Sequence, residues 1–284
     1  MIRPAADIRR IEMKYRLPSD LSAEVKRWAR ENLGRDPHAD LDDGDAYQIH
    51  STYFDTPERD LYDRTGVVGR TKFRLRRYGN DASVWLESKR KRRMVVRKRR
   101  TRIDRPDVET GPLTFDDDAT LIGHPPDHPA DWFLAAVTRR RLVPTTRLSY
   151  RRFVRGELGS DGSAAGGVVR LTIDTDMLCR PAAGWSVDGR DFDGRDFDGR
   201  GAEREPGSGS AAQPFGDDEI LELKFDNVMP AVFKELLSQF PITPTGFSKY
   251  RVGTSRLSPP FGSTRHVESP PGHPSSSVRV AAGA

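Results

Sequence analysis

At 284 residues with a formal net charge of +5, the chain has room for one large domain or two small ones. Its single cysteine, Cys179, excludes an internal disulfide and any multi-cysteine metal site. No apolar run approaches the ~18 residues of a membrane-spanning helix, and the opening MIRPAADIRRIEMKY carries no apolar signal-peptide core, so a soluble cytoplasmic protein is expected.

The charge is concentrated. Between Arg70 and Arg102 stand fifteen Lys or Arg against two acids, Asp81 and Glu87. That block holds about +13 and the remainder of the chain about −8. Charge separated in this way attracts phosphate-rich partners.

The first predicted strand, 8–17, sets Arg10, Glu12, Lys14 and Arg16 on alternate positions, with Ile11, Met13, Tyr15 and Leu17 between them. Successive strand side chains point to opposite faces, so one face is charged and the other apolar. A helix follows over 20–33, with Ser19 or Asp20 as its cap, then a strand over 47–54 and a short helical turn at 57–63. Strand 70–78 alternates Lys72, Arg74 and Arg76 with Phe73 and Leu75, and Arg77-Tyr78-Gly79-Asn80-Asp81 turns the chain into strand 83–89. Strand 94–103, helix 130–141 and strand 146–155 come next. Strand 167–175 alternates Arg170, Thr172 and Asp174 with Val169, Leu171 and Ile173, and strand 219–225 alternates Glu222 and Lys224 with Leu221, Leu223 and Phe225. A final helix over 228–240 gathers Val228, Val232, Leu236 and Phe240 on one stripe, with Phe233 and Leu237 beside it. Two segments lack the apolar content to fold. One is the insertion 185–217, where Arg190-Asp191-Phe192-Asp193-Gly194 is repeated at once; the other is the Pro-, Ser- and Gly-rich tail 258–284. The Asp-Phe-Asp-Gly string has neither the glycine loop nor the catalytic loop of a kinase. The expected fold is mainly β (α+β), an eight-stranded antiparallel tunnel or barrel with a charged lumen and flanking helices, in one domain over 1–256.

Lys14, Arg74, Arg76, Lys89, Lys98, Arg152 and Arg170 come from six different predicted strands. A surface cation explains each one alone; together, alternating with apolar neighbours, they describe a path of cations for a polyphosphate. Arg suits phosphate through its planar fork of donors. Glu12, Glu87 and Glu222 each stand two residues before a lysine and so share its face. A carboxylate among such cations is either an ion-pair spacer or a ligand for Mg²⁺ or Mn²⁺, which take oxygen donors and substrate phosphates. The apolar setting of ILELKF favours metal ligation for Glu222.

Several pieces occur in an order that resembles a known family: Ile11-Glu12-Met13-Lys14-Tyr15, Ser51-Thr52-Tyr53-Phe54-Asp55-Thr56, Lys72-Phe73-Arg74-Leu75-Arg76, Trp85-Leu86-Glu87-Ser88-Lys89, Ser149-Tyr150-Arg151-Arg152, Val169 to Thr175, Ile220-Leu221-Glu222-Leu223-Lys224 and Phe247-Ser248-Lys249-Tyr250. Together they resemble the polyphosphate polymerase (VTC, vacuolar transporter chaperone) domain of the triphosphate tunnel metalloenzymes over about residues 8–256. The resemblance implies an ATP-dependent, metal-dependent polymerase with Mn²⁺ (or Mg²⁺). It implies phosphate-binding cations at Lys14, Arg74, Arg76, Lys89, Lys98, Arg152, Arg170 and Lys249, and Glu222 on the metal. Ser248 and Lys249 would lie at the tunnel wall near the transferred phosphate, with Arg74 and Arg170 also in catalytic roles. Triphosphatase and cyclase relatives carry Glu-x-Glu-x-Lys on the first strand; Arg10 stands at the first of those positions here, which favours the polymerase branch.

The expected chemistry is transfer of the ATP γ-phosphate onto a growing polyphosphate chain, with ATP and polyphosphate as partners and room for a membrane-embedded partner that collects product. No histidine is needed: His50 reads as structural, and His38, His124, His128, His266 and His273 fall in loops. A triphosphatase of the same superfamily and a non-catalytic polyanion sensor remain as alternatives. A nucleic-acid binder is set aside because Phe73, Tyr78 and Trp85 are expected to point away from Arg74 and Arg76; separately, the lack of a Gly-x-x-x-x-Gly-Lys loop excludes a P-loop ATPase.

Overall fold

Alternation of charged and apolar residues makes strands, and the strands here assemble into one antiparallel sheet. The computed structural model describes residues 10–39, 44–65, 71–92, 95–104, 128–156, 169–182, 184–185, 187 and 212–257. In chain order the elements are β1 (Arg10–Leu17), α1 (Ser19–Asn32), β2 (Gly34–Arg35), β3 (Ala46–Asp55), α2 (Asp60–Asp63), β4 (Thr71–Tyr78), β5 (Ser83–Arg92) and β6 (Val95–Asp104). There follow α3 (Asp131–Arg139), β7 (Val143–Gly156), β8 (Arg170–Pro181), β9 (Gln213–Pro214), β10 (Glu219–Asp226), α4 (Ala231–Gln239) and α5 (Lys249–Leu257).

Eight strands pair in the order β1-β10-β8-β7-β3-β4-β5-β6, with the two-residue strands β2 on β7 and β9 on β8. All eight long strands fall where alternation predicts them. The sheet curls far enough for a side chain of β5, next to the edge strand β6, to reach the opposite edge strand: Lys89 meets Glu12 of β1 at 2.8 Å. Among the described residues no backbone ladder joins β1 to β6, so the strands do not form a continuous ring.

The apolar outside is covered in two places. On the β1-β10-β8 side, Val25, Trp28 and Ala29 of α1 and Phe233 and Leu236 of α4 bury Tyr15, Leu17, Leu171, Leu221, Leu223 and Phe225. On the β3 to β6 side, Phe133, Leu134 and Val137 of α3 cover Phe54, Phe73, Leu75, Leu86 and Ile103. At about 25 cal/mol per Å² of apolar surface, each fully buried Leu or Phe contributes roughly 2 kcal/mol before the entropy of ordering is set against it.

Four local expectations are revised. The α1 cap is Pro18, with no side-chain cap; the Ser19 hydroxyl instead donates to the Asp217 carbonyl at 3.2 Å. Val228 lies before α4 and is 72% exposed, because Pro230 fixes the helix start. The insertion 185–217 contributes to the core at both ends: Trp185 packs on Phe54 with ring centroids 4.6 Å apart, Val187 and Phe215 are buried, and β9 pairs with β8. The repeat between them and the tail 258–284 lie outside the described residues. Finally, α5 was not anticipated. Its Tyr250 is buried among Ile49, Tyr53, Leu148, Tyr150 and Ile220, so one end of the lumen is apolar and filled by this helix.

Candidate functional site

Strand register decides which side chains meet. Lys14 faces Glu222 across β1 and β10, Glu222 faces Thr172 across β10 and β8, and Asp174 faces Arg152 across β8 and β7. Beyond these, Tyr47 faces Arg152, Tyr53 faces Arg74 and Ser51 faces Arg76 across β3 and β4, Arg74 faces Glu87 across β4 and β5, and Lys89 faces Lys98 across β5 and β6. Six of the seven strand cations named from the sequence thus join one connected network, together with Lys249 of α5.

Four carboxylates hold that network. Glu87 receives Arg74 at 2.6 Å, Lys98 at 2.8 Å and Arg76 at 3.8 Å. Glu222 receives Lys224 at 2.8 Å, Lys14 at 2.9 Å and Lys249 at 3.5 Å. Asp174 accepts both arms of the Arg152 fork, at 2.6 and 2.8 Å, and also pairs with Lys249. Glu12 bridges Lys89 and Lys14, the latter at 3.4 Å. Arg170 stands apart at the mouth, on Asp36 at 2.9 Å and the Tyr47 hydroxyl at 3.1 Å. Ser248 accepts from Lys72 at 2.9 Å and caps the first turn of α5, where the Val252 amide binds its carbonyl.

Crowded cations shift the titrations. Burial pushes the Lys72 ammonium down to about 8, and Lys14, Arg74 and Lys89 push the same way against the pull of Tyr53. Burial likewise takes Lys224 down to about 8, although Glu222 holds it up. Burial opposes ionisation of the Tyr53 phenol, but Arg74, Arg76 and Lys72 outweigh it and bring it down to about 7. The carboxylates move oppositely: burial raises Glu222, yet Lys224, Lys14 and Lys249 hold it well below its usual range, and the same competition leaves Glu12 at about 2.

Reading the sequence alone missed several participants. Tyr47, Tyr53 and Tyr150 put phenols into the lumen; Tyr53 accepts from Arg74 and Tyr150 from Arg76, both at 2.9 Å. The spacing Tyr47-x-x-x-Ser51-x-Tyr53 carries the signal, since these share one strand face. Lys72 and Asp174 were visible in the alternation without being placed at the site. One expectation is overturned: only Phe73 points outward, into the core under α3. Tyr78 shares the parity of Arg74 and Arg76, and Trp85 is the direct cross-strand partner of Arg76, so both lie on the charged face.

Among the described residues no group of three or more His, Cys, Asp or Glu could hold a metal by itself. The donors present are hard carboxylate oxygens, Glu222 with Glu12 close enough for each to disfavour the other's charge. They fit Mg²⁺ or Mn²⁺ as a site completed by phosphate oxygens and water. Among the described residues no helix is long and apolar enough to cross a membrane.

Comparison with known proteins adds the following. HpAC1 from Hippeastrum, described as an adenylyl cyclase with a dominant triphosphatase activity, shares 16% identity with a TM-score of 0.45, over 88% of this chain and 98% of that one. A protein of Bacillus halodurans described as an adenylate cyclase shares 14% identity with a TM-score of 0.43, over 84% and 92%. One from Vibrio parahaemolyticus, similarly described, shares 14% with a TM-score of 0.42, over 86% and 96%. These likenesses carry no argument about chemistry, and the comparison with curated proteins gives no match. The VTC domain family matches residues 9–258, nearly the whole of the sheet and its helices, and the chain belongs to that family.

Proposed function

We propose that this protein is a polyphosphate polymerase that transfers the γ-phosphate of ATP onto a growing polyphosphate chain inside the tunnel. The observation that carries the reading is the convergence of Lys14, Arg74, Arg76, Lys89, Lys98, Arg152 and Lys249 on one enclosed face, with Arg170 at its mouth. Family membership supports it. The catalytic domain spans 1–256, and a cytoplasmic location gives it access to ATP.

In the reaction, a terminal phosphate oxygen of the acceptor attacks the γ-phosphorus, the bond to the β,γ-bridging oxygen breaks, and ADP leaves. The acceptor oxygen is already anionic, so no strong base is required, and the protein's work is positioning and charge neutralisation. Arg74 and Arg76 present planar forks to the phosphates once Glu87 yields them. Ser248 and Lys249, at the start of α5, supply a hydroxyl and an ammonium to the transferring group, and Lys72 orients the hydroxyl. Glu222, with Glu12, would hold Mn²⁺ or Mg²⁺, which when bound neutralises charge on the phosphates.

One feature favours the triphosphatase reading instead. The Tyr53 phenol, brought down to about 7 by Arg74, Arg76 and Lys72 against its burial, can accept a proton from water, which hydrolysis needs and chain extension does not. Incubation with ATP and Mn²⁺ separates the readings. ADP with long polyphosphate on a gel supports the polymerase. ADP with inorganic phosphate and no polymer makes the protein a hydrolase, and tripolyphosphate binding without ADP release makes it a sensor.

A further inference from the structure

The end of the charged face where β3 begins and β4 ends is built differently from the rest of the lumen. Tyr47 begins β3, Tyr78 ends β4 and Trp85 lies near the start of β5, so all three cluster at one end of the charged face. Tyr47 is six residues from Tyr53, the stacking partner of Tyr250 in α5, roughly 20 Å along the strand, and Tyr47 and Tyr78 pack on the outer edge of the cluster that Tyr250 fills. The Tyr47 and Tyr78 rings meet edge to face at 5.8 Å. Trp85 is directly opposite Arg76, and Tyr78 follows Arg76 by two residues on the same face, within diagonal reach of Trp85. The Arg100 guanidinium lies 3.6 Å from the centre of the indole. All three rings are half-buried, whereas the aromatics facing the outer clusters, such as Phe73 and Phe133, are fully buried.

A phosphate chain gains nothing from an aromatic face. A flat, uncharged π-system does, and stacking on Trp or Tyr tolerates any base because every base has a π-face. A cation beneath the indole polarises the ring further. The chain therefore places a row of phosphate-binding arginines, Arg76 and then Arg74, directly behind an aromatic ledge.

We propose that this end seats the base of a nucleoside triphosphate: Trp85, backed by Arg100 and flanked by Tyr78 and Tyr47, stacks the base while the phosphates run inward along Arg76 and Arg74. The proposal rests on the reading of the lumen as a triphosphate site and adds which end of the tunnel the nucleotide enters and what holds its non-phosphate half.

The test is calorimetric affinity for ATP and for inorganic tripolyphosphate, both in EDTA so that no turnover occurs, for the parent, Trp85→Ala, Trp85→Leu and Trp85→Phe. The expected result is that Ala and Leu weaken ATP binding about tenfold or more and tripolyphosphate by less than about twofold, with Phe retaining most of the ATP affinity. Leu keeps apolar bulk without a flat face, so it carries the comparison if the Ala variant melts early. Unchanged ATP affinity, or equal losses for both ligands, overturns the base seat while leaving the tunnel reading intact, provided the parent binds tripolyphosphate. A parent that binds neither ligand removes the tunnel reading and this proposal with it.

Discussion

Lys14, Arg74, Arg76, Lys89, Lys98, Arg152 and Lys249 are each already matched to a carboxylate, and that sets what binding of a polyanion would have to do. On the proposed function, phosphate oxygens would replace Glu87 at Arg74 and Asp174 at Arg152, so affinity would be a difference between two sets of charge-assisted bonds. Arg74→Ala should weaken tripolyphosphate binding by about 1.5–3 kcal/mol. Arg170, 38% exposed at the mouth, should matter less, by about 1 kcal/mol in a solvent-screened setting; equal or larger losses at Arg170 would show that the mouth and not the network dominates. Glu222→Gln keeps size and removes charge: metal-dependent ADP release should fall at least ~10²-fold, while metal-free tripolyphosphate binding persists. Identical Mn²⁺ activation in parent and variant would remove Glu222 from the metal. Protonation should be coupled to binding as well. With Lys72 and Lys224 at about 8 and Tyr53 at about 7 in the free protein, an arriving polyanion favours their protonated forms. Calorimetry at pH 8 in buffers of different ionisation heat should therefore register proton uptake, vanishing near pH 6, and affinity should decline above pH 8. Much at this scale was legible, because period two assigns faces: Glu12, Lys14, Arg74, Arg76, Glu87 and Glu222 all share the lumen. Tyr78 and Trp85 were misassigned although the same parity places them there. The pairing of Arg152 with Asp174 needed the register of β7 on β8, which a bulge between Ser149 and Arg151 sets and which no local pattern encodes.

Among the elements, the strands declared themselves and α5 did not. Its sequence, KYRVGTSRL, lacks an apolar stripe and carries a glycine in mid-helix, a residue that disfavours helices by about 1 kcal/mol. Tertiary packing explains it. A Cβ on Gly253 would come within 2.7 Å of Leu148 Cδ2 and 3.0 Å of Phe215 Cζ, so only glycine lets the helix lie this close to β7. Gly253→Ala should lower stability by about 1–3 kcal/mol despite improved helix propensity, measured by urea unfolding; a stabilised variant would mean that α5 is loosely seated. The Asp55 side chain fixes the same corner: its carboxylate accepts from the amides of Leu61 at 2.7 Å and Tyr62 at 3.0 Å and from the Tyr250 hydroxyl. Asp55→Ala should strand these donors and cost about 3 kcal/mol. Removing 185–217 as a block should abolish cooperative unfolding, because Trp185, Val187 and Phe215 leave the core with it; an unchanged melt would show that their contacts contribute nothing.

For the molecule as a whole, the proposed function makes charge the variable on which a ligand would act. Tripolyphosphate should raise the melting temperature at low ionic strength, and the gain should shrink as salt screens the lumen; a salt-independent gain would point to a site outside the network. The gathering of cations on one face was legible in the uneven charge of the sequence, whereas how near the sheet brings β5 to β1 was not, since it depends on how far the sheet curls. That unclosed seam has a topological consequence. A ring closed by strand ladders admits a polymer only by its end, so a long chain must be threaded and can leave only by sliding out. Here no ladder closes the circumference among the described residues; one ion pair, Lys89 on Glu12, links β5 to β1, and its cation is among the proposed phosphate ligands. On the proposed function, a polyanion that takes Lys89 would break that link, and the middle of a long chain would then have a sideways route into the groove.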